Sequence, residues 1–328
     1  MAPASVHSNT TVVFLYRPFW IKFIEVFPQQ PINELTLFTF VVSYGILFVA
    51  GFPGNVAAFV VMTCSSKIRH HSYANYLAAL AVYDLVSLTG PLLAWVNLIR
   101  FNIAGKSIVR FSTVACKFVN FYMYVANAGS FTSIGIVSVE RFVAVCFPFA
   151  AGRICTARSS KLIVAGQFGV IIIVTIENLF TTSFEPGYGC FYTENANRTH
   201  TILAVGIFTI GTSVLVFTLN SITILTLIRS TKMTGRGTND NTDSKVKQIT
   251  VMLLTVSCTF VVLLFPTDLL VLVASFAPEA AAKYLLIYDD LFKFLYITNN
   301  VINFYLYIVS GREIRKALSA VLKCRSYK

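Results

Sequence analysis

An acid and a base stand side by side at Glu140 and Arg141, followed by Phe142, at the end of the apolar run Phe118 to Val139. An arginine that meets hydrocarbon costs roughly 2.5–3.5 kcal/mol at a helix centre and less near an end. Either it snorkels to lipid headgroups, or it forms an ion pair with a task. A second constellation gathers around Asp84, with Asn55, Ser130, Asn299 and Asn303 on other apolar runs. A carboxylate flanked by amide and hydroxyl oxygens suits a small hard cation such as Na+. The alternative is a protonated Asp84 that only hydrogen-bonds across helices. Covalent chemistry has no foothold: His7, His70, His71 and His200 fall in loops or tails, with no Ser/His/Asp set, metal cluster or phosphate loop. The expectation is no enzyme, and no metal beyond Na+ at Asp84.

Long apolar runs must position these groups. The chain has 328 residues, 56% of them hydrophobic and 12% charged, too apolar for one soluble domain. A spanning helix needs about 20 mostly apolar residues. Seven runs qualify: Leu35 to Cys64, Tyr73 to Ile99, Phe111 to Cys146, Leu162 to Thr182, Ile202 to Ile228, Val246 to Phe276 and Tyr284 to Ser310. The alternating segments of a membrane barrel are absent. The expected fold is an all-α membrane protein, a seven-transmembrane helix bundle.

Charge orients it. With the N-terminus outside, 17 of the 26 Lys and Arg residues fall in cytoplasmic segments, as the positive-inside rule requires. The two Asn-x-Ser/Thr sequons, at Asn9 and Asn197, then both lie outside. The net charge of +12 therefore reads as topology and contact with membrane lipid, with no nucleic-acid partner. Met1 to Trp20 lacks the pattern of a removable signal peptide.

Seven cysteines serve two redox compartments. Cys116 and Cys190 are the two placed to oxidise; the alternative is a pair of free thiols. Cys324 follows a short amphipathic stretch, Arg312 to Leu322, and is a palmitoylation candidate. Three parts follow: an extracellular segment 1–34, the transmembrane domain 35–310, and a cytoplasmic amphipathic helix and tail 311–328.

Asn55, the Leu-Ala run leading to Asp84, Cys116 before Glu140-Arg141-Phe142, Pro266, and Asn303-Phe304-Tyr305-Leu306-Tyr307 follow one another in order, each in its own span. Together they resemble the rhodopsin-like G protein-coupled receptors, over about Leu35 to Lys323. Glu140 to Ser159 and the stretch from Tyr305 to Arg312 are most similar to invertebrate neuropeptide receptors of the FMRFamide-receptor kind. The chain also departs from the family. Leu264 stands where a tryptophan is usual two residues before Pro266, and Phe304 replaces the proline after Asn303. No tryptophan marks the fourth span and no proline the fifth. The amine-binding aspartate position holds Met123 and the retinal-lysine position Ile297.

The resemblance implies a plasma-membrane receptor that binds an extracellular ligand, a short neuropeptide in this reading, and activates a heterotrimeric G protein. It assigns coupling and switching to Glu140, Arg141, Phe142, Pro266, Asn303 and Tyr307. The polar network is Asn55, Asp84, Ser130, Asn299 and Asn303, with Na+ as an allosteric ion. Ligand contacts are expected from Met123, Tyr124, Asn127, Glu177, Asp268, Asp289 and Lys293, beneath a Cys116–Cys190 bridge. The acids Glu177 and Asp268 suit a basic peptide side chain, whereas Asp289 and Lys293 are also spaced to pair with each other. Val246 stands where many members carry an acid that restrains the arginine, so the restraint is expected from Glu140 and Thr250. Rival readings are a non-signalling peptide binder, a chemosensory receptor and, further off, a small transporter, although broken-helix repeats are absent.

Overall fold

Helix starts and stops follow local capping chemistry. The computed structural model describes residues 34–90, 92–93, 96, 112–185, 189–192, 208–233, 241–276 and 278–322. Its helices are α1 (Glu34–Cys64), α2 (Ser72–Ser87), α3 (Thr113–Cys146), α4 (Pro148–Ile154), α5 (Ala157–Thr175), α6 (Asn178–Thr181), α7 (Thr212–Met233), α8 (Asn241–Phe276), α9 (Pro278–Ser310) and α10 (Arg312–Leu322). Ser112 caps α3 by accepting from the Ala115 amide at 3.2 Å. Phe147 ends α3, and Pro148, at the first position of α4, starts a new helix where its missing N–H is harmless. Thr156 then caps α5 through the Ser159 amide at 3.1 Å. The fourth span thus begins at Ala157, ahead of the expected Leu162, and its long helix ends at Thr175 before the short α6.

Among the described residues, five stretches are long and apolar enough to cross a membrane: Val42–Cys64, Thr113–Cys146, Ala157–Thr181, Phe208–Arg229 and Gln248–Pro266. The second and seventh expected spans correspond to α2 and α9. A π-helical turn at Phe208–Gly211 precedes α7, an irregularity in a fifth span that lacks proline. The segment read from sequence as a loop, Ser183 to His200, contains a two-stranded antiparallel hairpin. In it β1 (Thr182–Glu185) faces β2 (Gly189–Tyr192), with Phe184 opposite Cys190.

The apolar core runs through α1, α2, α3, α8 and α9, with Leu77, Phe131, Phe260, Leu264 and Tyr307 buried in it. Two glycines set how closely helices approach. A Cβ on Gly129 would stand 2.3 Å from the Tyr83 ring, and one on Gly54 would stand 3.2 Å from Phe304 Cδ1. Phe304 therefore fits as a helix-packing residue because α1 carries no side chain where its ring lies. α10 spans the residues read as amphipathic. It buries Ile314 and Ala317 and exposes Arg312, Arg315 and Lys316, while Arg315 Nη1 donates to the Ile308 and Val309 carbonyls at 2.5 and 2.8 Å, closing the end of α9.

Candidate functional site

Helical periodicity turns the polar residues of α1, α2, α3 and α9 toward one another at mid-bundle. Asp84 is fully buried. Ser130 Oγ donates to its Oδ1 and Asn303 Nδ2 to its Oδ2, each at 2.7 Å. Asn55 Nδ2 donates to the carbonyls of Gly51 at 3.0 Å and Asn300 at 2.8 Å, tying α1 to α9. Three elements thus converge on one carboxylate, where the structure brings Ser130 and Asn303 to Asp84, while Asn55 bonds to the α9 backbone beside them. Asn299 is buried in the same span, its Nδ2 without a hydrogen-bond partner among the described residues.

Two residues expected at the ligand site lie in the seam between α2 and α3. Asn127 Oδ1 accepts from Ser87 Oγ at 3.1 Å, and its Nδ2 donates to the Met123 carbonyl at 2.6 Å. Met123 is fully buried, its methyl against Gly90. Tyr124 and Glu177 are half-buried. The side chains of Asp268, Asp289 and Lys293 lie outside the described residues, as do Asn9, Asn197 and Cys324. Cys116, near the start of α3, is disulfide-bonded, while Cys64, Cys146, Cys155 and Cys258 are free. At that same end Asn120 Nδ2 donates to Asn178 Oδ1 at 3.3 Å and Thr182 Oγ1 at 3.0 Å, fastening the start of the hairpin to α3.

At the opposite end of α3, Arg141 Nη2 pairs with Glu140 Oε1, both side chains buried. The guanidinium also lies 5.9 Å from the centre of the Tyr73 ring, a cation–π distance, and His71 stacks on Tyr73 with ring centres 5.3 Å apart. Partial burial, then the Arg141 and His70 charges, lower the His71 pKa below its ordinary 6.5, while Glu140 opposes the shift. Phe142 packs edge-on against Phe147 at 5.7 Å. Tyr307 is buried in the core, its hydroxyl unpaired among the described residues. Thr250, expected to restrain Arg141, is buried with its Oγ1 unpaired. A β-branched threonine fixed inward on α8 does not by itself meet the arginine.

Three features escaped the sequence reading. Gln167 on α5 sends Nε2 to the Gly129 carbonyl at 2.9 Å, Thr132 Oγ1 at 2.7 Å and Ser133 Oγ at 2.9 Å, joining the fourth span to the third without a tryptophan. A lone amide in an apolar run was the signal for it. Phe149, on α4, is 96% exposed, a bare aromatic ring one helix away from Arg141. Ser138 and Ser257 join α3 to α8 at 3.1 Å. Leu264, the departure in the sixth span, is buried in the same core as an aromatic set in which Phe131 meets Phe260 and Tyr296 edge-on, each at 5.6 Å.

A multi-helix membrane bundle with a buried mid-span carboxylate and an acid–arginine pair at one end defines a class of receptor. Residues 54–307 match the family model for the 7 transmembrane receptor (rhodopsin family), and the chain belongs to that family. It is 25% identical over 271 residues to melatonin receptor type 1B-B of Danio rerio, covering 80% of this chain and 75% of that receptor. It is 34% identical over 137 residues to the gastrin/cholecystokinin type B receptor of Sus scrofa, and 26% identical over 130 residues to lysophosphatidic acid receptor 6 of Homo sapiens. These two alignments span 40% and 39% of this chain, but only 28% and 36% of the relatives' lengths. The protein is a multi-pass membrane receptor of this family, not an enzyme. The three relatives' names indicate different ligands.

Proposed function

We propose that the chain is a plasma-membrane receptor, N-terminus outside, that binds a short extracellular peptide and activates a heterotrimeric G protein. The observation that carries this reading is the buried Glu140–Arg141 pair beside a helix that holds Phe149 almost wholly in the open. A large apolar side chain exposed on a helix between two spans serves protein docking or membrane contact, and in this reading it docks the G protein; Arg153 stands on the same helix. The charge bias of the loops places this end in the cytoplasm, and a gastrin/cholecystokinin receptor among the relatives accords with a peptide ligand. The similarity to FMRFamide-type receptors narrows that class further.

In this reading the disulfide at Cys116 joins Cys190 and pins the hairpin over the bundle mouth, with Asn9 and Asn197 glycosylated outside and Cys324 lipidated inside. Tyr124, Glu177, Asp268, Asp289 and Lys293 contact the ligand, while Met123 and Asn127 hold the wall behind them. Ligand binding favours an arrangement in which α8 swings outward about Pro266 and Arg141 leaves Glu140 to face the G protein. The residues around Asp84 fit Na+: two neutral donors satisfy its oxygens and leave the negative charge uncompensated. Asp84 and Ser130 would hold the ion, and Asn299 and Asn303 would flank it.

The test is G protein activation in cells expressing the wild type or Arg141→Ala, challenged with a library of amidated and unmodified short peptides. The expected result is a peptide response that the variant loses at equal surface expression. Peptide binding with silence across all G protein classes would replace this reading with that of a non-signalling binder.

A further inference from the structure

Ser138 on α3 and Ser257 on α8 are each about 1% exposed, and their hydroxyl oxygens are 3.1 Å apart. Ser257 donates to the Leu253 carbonyl at 2.8 Å and accepts from Ser138. Ser138 shares its single proton between the Ile134 carbonyl at 3.0 Å and Ser257. If α8 moves away, Ser138 keeps Ile134, Ser257 keeps Leu253, and no buried donor is stranded. The contact can therefore open and close without leaving a donor unpaired, as a latch requires.

Its position gives it leverage. Ser138 lies one helical turn before Arg141, on the face of α3 that meets α8. On α8, position 246 is valine where a restraining acid is usual, and Thr250 Oγ1, expected to help Glu140 hold the arginine, has no partner among the described residues. We propose that Ser138 and Ser257 are positioning residues that set the resting place of α8, and with it the basal signalling of the receptor. The signalling part of this inference rests on the proposed function; the positional part does not.

Two measurements separate them. The first is ligand-free G protein activation, at matched surface expression, for Ser138→Ala, Ser257→Ala, the double variant and Ser257→Thr. Each alanine should raise basal activity about threefold, the factor carried by an average interhelical hydrogen bond in a membrane. The double variant should go no further, because both remove one shared bond, and Ser257→Thr should stay near wild type. The second uses purified protein in lipid nanodiscs, with spin labels at positions 161 and 248 and the free cysteines replaced by serine. Either alanine should broaden the distance distribution toward longer separations, and Ser257→Thr should not. A distribution unchanged by both alanines overturns the latch even if the receptor signals. A shifted distribution without G protein activation in any variant keeps the latch and overturns the signalling reading. Additive effects of the two alanines would mark ordinary packing and also overturn the latch.

Discussion

The middle of the bundle and its Arg141 end bury polar groups in different ways. At mid-span both oxygens of Asp84 accept hydrogen bonds, and Asn55 and Asn127 bridge or brace neighbouring helices. At the Arg141 end one guanidinium nitrogen has its carboxylate oxygen, while Arg141 Nε, Glu140 Oε2, Thr250 Oγ1 and Tyr307 Oη are buried and unpaired among the described residues. An unpaired buried polar group costs about 1–3 kcal/mol, so the second region sits above its best attainable energy. The middle also leaves Asn299 Nδ2 and Asn300 Oδ1 without partners among the described residues, but its carboxylate has both oxygens bonded, whereas at the Arg141 end the charged pair itself has bonds outstanding and can gain by moving. The middle holds one arrangement and the end is able to leave its own, which is how a switch is divided between a frame and a moving part.

The largest effect should come from the moving part. Glu140→Gln removes the charge that holds Arg141 and leaves an amide of the same shape. A hydrogen bond to a charged group is worth about 1.5–3 kcal/mol, so the resting equilibrium should shift by roughly ten- to a hundredfold, with ligand-free G protein activation rising accordingly. The melting temperature should change little. A large loss of stability with basal activity unchanged would mean that the pair belongs to the frame and would erase the contrast.

The frame answers in the opposite currency. Asp84→Asn keeps the shape but turns two charge-assisted hydrogen bonds, from Ser130 and Asn303, into neutral ones, with Ser130 accepting in place of donating. A fall of about 1–3 kcal/mol in stability is expected, read as a lower melting temperature in detergent. Any dependence of ligand affinity on Na+ at constant ionic strength should vanish with the charge. Persistence of that dependence in the variant would move the ion elsewhere. Gln167→Leu should have a smaller effect, about 0.6–1.7 kcal/mol, because Thr132 and Ser133 keep their own bonds to the Ala128 and Gly129 carbonyls. Unchanged thermal stability would show that the apolar contacts of α5 suffice.

The frame was largely legible in the sequence and the moving part only half so. A carboxylate in mid-span has few ways to be satisfied, which is why Asn55, Asp84, Ser130 and Asn303 could be grouped before any coordinates. The ion pair at Arg141 was legible for the same reason. Serine hydroxyls carry no such signal. Ser133, Ser138 and Ser257 all bond to a carbonyl one turn back, as any helical serine can, and only packing tells which also reaches a neighbour. Gln167 carried only the weak signal of a lone amide in an apolar run. Phe304 read as a departure until Gly54 supplied the space opposite. The hairpin followed β-branched and aromatic residues too few to register as a pattern, and the capping by Thr156 moved the fourth span's start by a turn.

The smallest effect expected sharpens the boundary of the moving part. His71 lies outside the apolar spans, stacked on the Tyr73 ring that Arg141 also faces. Partial burial first, then Arg141 and His70, hold its pKa below 6.5 against the pull of Glu140. At pH 7.5 it is neutral folded or unfolded and adds no pH dependence. As pH falls below about 6.5 the unfolded chain takes up a proton that the folded chain refuses, so stability declines until the lowered pKa is also passed. The wild type should therefore lose more melting temperature between pH 7.5 and 5.5 than His71→Gln, in which no proton is refused. Because the penalty comes partly from Arg141, Arg141→Gln should reduce the same slope. Equal slopes in all three proteins would separate His71 electrically from the arginine and confine the moving part to the ion pair and the helices beside it.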